Sequence, residues 1–297
     1  MLQRYKLTVE YLGSAYRGFQ AQPEACGPTV QAELEKALAL LMGSQDRLSR
    51  VVVSSRTDAG VHAVANTAHV DLQRAVPHPP QVVRNAMNAF LRQRHQAIVV
   101  RDVEVVANDF HSRFEAIGRE YIYQIHMPKA EFRHALPGRL PSALFTRDLS
   151  WHVERPLDTA AMAAACTHFL GEHDFTSFRG AKCQAPSPIR TLTTLDLETL
   201  ASHRADELNE DDATTLLHVK AAAPSFLYHM VRNIVGALVD VGMHKLQPED
   251  IPRILAAKDR SAAPAMAPAH GLYLRRVLCK PPPLTTHSTA PVVKDGE

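Results

Sequence analysis

Apolar residues recur along this chain with two periods, and the periods take turns. Val30, Leu34, Leu38 and Leu41 fall at helical spacing behind Thr29, an N-cap residue, and predict a helix over Val30–Met42 lying on a sheet. The segments "YKLTVEYLG" and "VVVSS" on either side of it read as strands. "NTAHVDL" adds a strand, Gln81 to Arg94 a second helix with Val83, Ala86, Met87 and Phe90 on one face, and "AIVVRDVEVV" another strand. The grammar then repeats: strand "REYIYQIHM", helix Asp158 to Leu170, strands near Thr191–Leu200 and Leu216–Ala222, helix Ser225 to Gly242, and a closing strand "GLYLRRVLC". Element order alone relates the two parts. It predicts a pseudo-twofold pair of α+β halves, residues 1–107 and 108–280, with a disordered Pro/Ser/Thr-rich tail at 281–297.

Composition narrows the class. The chain has 297 residues and 45% hydrophobic content, enough for a substantial core. The most apolar helix, "SFLYHMVRNIVGALVDVG", carries His229, Arg232 and Asp240, too polar for a membrane span. "MLQRYKLTVEYLG" reads as an early strand rather than a signal peptide, so a cytoplasmic location is expected. Four widely spaced cysteines with no C-x-x-C pair suggest reduced thiols, not a disulfide framework or a zinc site. The net charge of +2 conceals an uneven distribution: "HRADELNEDD" (203–212) carries −4 and reads as a solvated excursion, leaving about +6 elsewhere. Ten Lys or Arg stand against six Asp or Glu between Arg84 and Arg147, either a basic face that tracks phosphates or an ordinary mixed surface.

Candidate chemistry centres on "SSRTDAGVHA" (54–63), where an apolar strand ends in an arginine and an aspartate two positions apart. Taken alone, Asp58-Ala-Gly60 makes a turn, with a side-chain acceptor and a residue tolerant of positive φ. In helix 225–242, Leu227, Met230, Val231, Ile234, Val235, Leu238 and Val241 occupy one arc. Arg232 lies just outside it beside Tyr228, either solvated or reaching a neighbouring strand end, and Gly236 in the helix interior suggests a close backbone approach. Tyr121 alternates with Tyr123 and Ile125 on one strand face, either as core or as a surface on which a nucleobase stacks. The sixteen histidines form no metal-ligand spacing, and Gly-rich phosphate loops and hydrolase signatures are absent, so chemistry without a cofactor is favoured.

The ordered blocks "VEYLGSAYRGFQAQ", "TVQAELEKAL", "SSRTDAGVHA", "DFHSRFEAIGREYIY", "GEHDFTSF", "SFLYHMVRNIVGALVDVG" and "DRSAAPAMAPAHGLYL" resemble the bacterial tRNA pseudouridine synthase A family from Leu7 to about Cys279. The resemblance implies the pseudouridine synthase fold: two α+β halves with mainly antiparallel sheets, flanked by helices, around a central RNA-binding cleft. It implies isomerisation of uridine to pseudouridine at positions 38, 39 and 40 of the tRNA anticodon stem-loop by a homodimer. Asp58 would be the essential carboxylate and Arg232 its partner, meeting it across the halves. Arg56 would occupy the stack vacated by the flipped nucleotide, Tyr121 would stack on the uracil and assist proton removal at C5, and Leu272 would close the pocket on its apolar side. Phe19 and Ser54-Ser55 depart from the family's usual Gly-Trp-Gln and small-residue pair without touching these groups. Two other classes fit parts of the pattern. A non-catalytic RNA-binding protein would have little reason to keep Asp58, Arg232 and Tyr121 together, and a nucleosidase would need a second carboxylate or a calcium-like site.

Overall fold

The computed structural model describes residues 1–129, 144–200 and 214–280; the acidic run 203–212 and the tail 281–297 lie outside them. In the first part, strands β1 (Leu2–Tyr11), β2 (Val52–Val53), β3 (His62–Gln73) and β4 (Ile98–Val106) alternate with helices α1 (Val30–Met42) and α2 (Pro80–Gln93). Helix α1 begins where the sequence places it because Thr29 Oγ1 accepts from the Ala32 amide. It ends at Gly43, in the left-handed conformation at φ 71°. Helix α2 opens with Pro80, whose missing amide hydrogen leaves no bond unmade in a first turn.

The second part holds β5 (Ala116–Pro128), β6 (Trp151–His152), α3 (Thr159–Thr167), β7 (Gly171–Asp174), β8 (Ile189–Leu192), β9 (Thr194–Leu200), β10 (Thr214–Ala223), α4 (Met230–Gly242), α5 (Asp250–Ala257) and β11 (Leu272–Cys279). Helix α3 is three residues shorter at its C-terminal end than its pattern suggests, and Asp158 is its N-cap, accepting from Ala161 N at 2.9 Å. Helix α5 and β7 are elements that the periodicity does not reveal, and the strand expected near Thr191–Leu200 is two, β8 and β9, broken at Thr193.

Helix α4 begins five residues later than its apolar pattern suggests. The carbonyl of Tyr228, which a longer helix would use internally, instead accepts from Gly180 N at 2.7 Å. His229 turns into the left-handed region at φ 64°, and only from Met230 does the helix run. Tyr228 therefore precedes the helix and does not stack one turn below Arg232.

The strands join in one nine-stranded sheet of order β4-β1-β3-β11-β5-β10-β9, with β2 added to β3 and β6 to β5. Most pairings are antiparallel; β11 runs parallel to β3 and antiparallel to β5. The closing strand thus lies between the two parts and stitches them, Leu274 opposite Ala63 on one side and Tyr121 on the other. Two apolar cores share one sheet face. One packs Tyr5, Leu7 and Val9 of β1 against Leu34, Leu38, Val83 and Met87 of α1 and α2. The other packs Tyr123, Ile125 and Val219 against Ile234, Val235 and Leu238 of α4. Tyr121 touches both. Because successive strand side chains alternate, the other face carries charges, and these are paired: Arg4 with Asp71, Lys6 with Glu104, Arg276 with Glu120 and Lys220 with Glu198.

The close approach that Gly236 implies is present. A Cβ there would stand 2.1 Å from the Ala265 carbonyl oxygen, and the same segment bonds α4 through Ala267 N to Arg232 O at 3.1 Å. Gly236→Ala should lower stability by about 1–3 kcal/mol, because forcing apart packed backbone outweighs the roughly 1 kcal/mol gain in helix propensity. Thermal or urea denaturation reads this directly, and a variant as stable as the parent would mean the segment yields without cost.

Candidate active site

The loop between β2 and β3 hangs from buried polar groups. Tyr11 Oη and Thr57 Oγ1 are 2.7 Å apart, Asn66 Nδ2 donates to Tyr11 Oη at 3.1 Å and to Ser55 O at 2.9 Å, and Phe19 N donates to Thr57 O at 3.1 Å. Burial pushes the Tyr11 phenol up to about 12, so the hydroxyl stays a neutral hydrogen-bonding group. Arg119 of β5 crosses from the other part of the chain: Nε donates to Ser55 Oγ at 3.1 Å and Nη1 to Pro224 O at 2.7 Å. One guanidinium therefore ties the loop to the segment that leads into α4.

Within this frame the chain turns at Asp58. The turn is closed by backbone, Val61 N donating to Asp58 O at 3.1 Å, and Gly60 takes the positive φ of 81°. The Asp58 carboxylate makes no backbone bond in the turn, so its type is not explained by turn formation. It faces a guanidinium and an imidazole instead. Oδ2 lies 3.7 Å from Arg232 Nη1 and 3.4 Å from His229 Nε2. Burial raises the Asp58 pKa from its ordinary value, while His229 and Arg232 pull it back towards ionisation. Burial likewise lowers the values of His229 and Arg232, and the Asp58 charge opposes each shift. Arg232 is itself held, Nε donating to Ala267 O at 2.8 Å.

All five residues singled out in the sequence line one cleft of about 1070 Å³. Tyr121 is edge-on to Phe226, ring centroids 5.1 Å apart, and burial pushes its phenol far above the usual range, with the charges of Tyr11 and Asp58 adding to the shift. Leu272 is buried opposite Tyr123 and forms apolar wall. Arg56 is exposed, its Nη1 donating to Gln20 Oε1 at 3.0 Å. The cleft also gathers Arg17, Arg50, Arg113, Arg119, Lys182 and Arg190, against Asp58 as its one carboxylate. Among the described residues of the stretch Arg84–Arg147, Arg113 and Arg119 take part, and the other cations of the cleft come from distant segments. Among the described residues none of these six cations has a carboxylate within ion-pair distance, and no cluster of His, Cys, Asp and Glu is arranged to hold a metal.

His229 and Arg119 are the residues of this site that sequence reasoning passes over. In a continuous helix from Ser225, His229 is only a polar interruption, and nothing local marks its left-handed turn. Arg119 follows Gly118 in a strand as an unremarkable charge.

A family model described as tRNA pseudouridine synthase matches residues 7–115 and 165–278. The chain is 40% identical over 276 residues to tRNA pseudouridine synthase A of Bartonella tribocorum, spanning 93% of this chain and 99% of that protein. It is 41% identical over 276 residues to the proteins of the same name from Caulobacter sp. and Azorhizobium caulinodans, covering 93% of this chain and 98% and 94% of those proteins. The chain belongs to the tRNA pseudouridine synthase family, a class of isomerases. No helix among the described residues is long and apolar enough to cross a membrane.

The Tyr11 network gives a direct test of how the loop is held. Tyr11→Phe removes one hydroxyl and leaves Thr57 and Asn66 short of a buried partner, so stability should fall by about 1–2 kcal/mol. Amide exchange at residues 55–59 should quicken more than exchange in β1. Uniform quickening along β1 would show that the hydroxyl supports the sheet and not the loop.

Proposed function

We propose that this protein isomerises uridine to pseudouridine at positions 38, 39 and 40 in the tRNA anticodon stem-loop, with Asp58 as the single catalytic carboxylate. One observation carries the reading: a half-buried aspartate paired with Arg232 and His229, in a cleft whose other charged groups are all cations. Such a cleft suits a polyanion, because unpaired guanidinium and ammonium groups exchange counterions for phosphates. The reaction breaks the bond from N1 of uracil to C1′ of ribose, turns the base within the pocket, and joins C5 to C1′. The C5 hydrogen leaves as a proton, and N1 gains one. Attack of the carboxylate at C1′, its addition at C6, and its removal of the C2′ proton all require ionised Asp58. The Arg232 guanidinium beside it meets that need, and His229 adds to it when protonated.

The remaining roles follow from position. C1′ and C5 are out of reach inside a stem, so the target nucleotide must flip out. Arg56, exposed at the rim, enters the stack that the base vacates. Tyr121 presents its ring to the uracil. Its phenol stays protonated at neutral pH, which favours stacking over proton abstraction. Leu272 covers the apolar side. In this reading residues 1–107 and 108–280 form the two walls of the RNA cleft, the protein acts as a cytoplasmic homodimer, and the chemistry calls for no cofactor.

Asp58→Asn with an anticodon stem-loop RNA tritiated at C5 of the target uridine is the decisive measurement. The amide is nearly isosteric but neither an effective nucleophile nor a base. Tritium release should vanish while RNA affinity stays within about tenfold of the parent, or about 1.4 kcal/mol. Release near the parental rate would remove Asp58 from the mechanism. Tight binding by a parent protein that releases no tritium from any tRNA would instead make this an RNA-binding protein.

Salt tests the cleft separately. If four to six of its cations contact phosphates, affinity for tRNA should fall with a log–log slope of roughly −3 to −5. A slope near zero would place the RNA elsewhere.

A further inference from the structure

His229 stands at φ 64°, immediately before α4. That conformation is uncommon outside glycine but open to histidine, and His95 and His244 adopt it too, so what sets His229 apart is what surrounds its ring. The surroundings of the imidazole are cut to fit it. The ring stacks on Tyr228, centroids 3.6 Å apart and planes 27° from parallel. Across from them, a Cβ at Gly180 would come within 2.9 Å of His229 Nδ1 and 2.7 Å of Tyr228 Cδ1, so only glycine leaves room for the pair. Held this way, Nε2 reaches 3.4 Å from Asp58 Oδ2, the oxygen that Arg232 approaches to 3.7 Å. Neither contact is a full hydrogen bond; the attraction to Arg232 is between charges, and that to His229 becomes so once the ring is protonated. The charged groups that act on the ring are Asp58 from the loop, Arg232 from its own helix and Arg260 from the turn at 260–262; Tyr228 lies against its face.

We propose that His229 is a positioning residue that shares Asp58 with Arg232: its imidazolium, formed as the solution turns acid, holds the catalytic carboxylate ionised and in place. The proposal rests on Asp58 being the catalytic group. Its sign follows from the order of protonation. As pH falls, His229 takes the first proton and becomes a cation beside an aspartate that is still ionised. Activity is lost only with the second proton, which neutralises Asp58 against the pull of two cations. Without the imidazole a single cation remains, and Asp58 is neutralised at higher pH.

The test follows single-turnover tritium release from the C5-labelled anticodon stem-loop between about pH 5 and pH 8, where histidine titrates. Full-length parent, His229→Asn, His229→Gly and Asp58→Asn are compared. Asparagine and glycine both suit the left-handed backbone, so both His229 variants should fold, which a native circular dichroism spectrum and a cooperative melt check. RNA affinity near pH 8 should be unchanged, and each protein's rates are compared as a pH profile normalised to its own value at pH 8. The acid limb of both His229 variants should move towards neutral by about one pH unit, the effect of one opposite charge at this distance. Added imidazole should move the limb of the glycine variant back. Profiles that superimpose on the parent would reduce His229 to a turn residue and overturn the proposal. A pH-independent loss matched by weaker RNA binding would make it an RNA contact, which overturns it equally. An active Asp58→Asn would sink the reading of Asp58 itself, an outcome distinct from failure at His229, where Asp58→Asn stays inactive.

Discussion

A carboxylate withdrawn from water keeps its charge only while cations are fixed beside it, and the arrangement around Asp58 is governed by that requirement. Burial pushes Asp58 towards its neutral form, and Arg232 and His229 pull it back. Both cations come from the far part of the sequence, so no local structure can supply them. The fold meets the need through β11, which lies between β3 and β5 and makes one sheet of strands from both parts. Across that seam Arg119 bonds both the loop at Ser55 and the carbonyl of Pro224. Arg232 is fixed in turn by the carbonyl of Ala267, in a segment that reaches α4 only because Gly236 has no side chain. The geometry of one ion pair therefore depends on sheet order, a buried arginine and a helix glycine.

Cations are divided unequally between the two sides of the sheet. On the reverse face they alternate with carboxylates and form pairs, Arg4 with Asp71 in a two-bond fork at 2.6 and 2.7 Å. Such pairs are locally neutral. In the cleft six cations besides Arg56 and Arg232 repel one another with no carboxylate but Asp58 among them. That repulsion costs stability in the free protein and is relieved when a polyanion enters, so the same charges that weaken the fold strengthen binding. A net charge of +2 for the whole chain hides this division because carboxylates outnumber cations away from the cleft, the run 203–212 alone carrying −4.

Much of this was legible wherever the signal was local. Helix α1 is written by four apolar residues and the Thr29 cap, and the close approach at Gly236 by a glycine that a solvated helix would not need. The Arg-Thr-Asp loop and the partnership of Asp58 with Arg232 came from the resemblance of ordered blocks, and the structure brings the two side chains together. The start of α4 was hidden because Leu227 keeps the apolar period going, while the event that stops the helix is capture of the Tyr228 carbonyl by Gly180, 48 residues earlier in the chain. The place of β11 was hidden for a similar reason. Period fixes that a strand has a buried face, not which neighbours it pairs with. The basic cleft could not be read from the richest basic stretch, since its cations come from separate segments, Arg119 from β5 and Arg190 from β8 among them.

The composition of the pocket also bears on where charge develops during the proposed reaction. When the glycosidic bond breaks, uracil departs carrying negative charge, and a site stabilises that step in proportion to how well its dipoles and cations are already aimed. A second anion beside Asp58 would work against it. Tyr121 is the group that could become one, and burial together with the Asp58 charge keeps its phenol protonated. Tyr123, deeper in the core, is held neutral in the same way and donates to Pro268 O at 2.8 Å. The pocket thus carries one carboxylate, the phenols of Tyr121 and Tyr228, each shifted towards its neutral form, and at least one permanent cation, Arg232. An anion formed there meets a net positive field as soon as Asp58 has been consumed as a nucleophile or has taken up a proton. The carboxylate's change of state and the base's gain of charge are then complementary, which is why one aspartate set among cations can serve where a pair of carboxylates would repel the departing base.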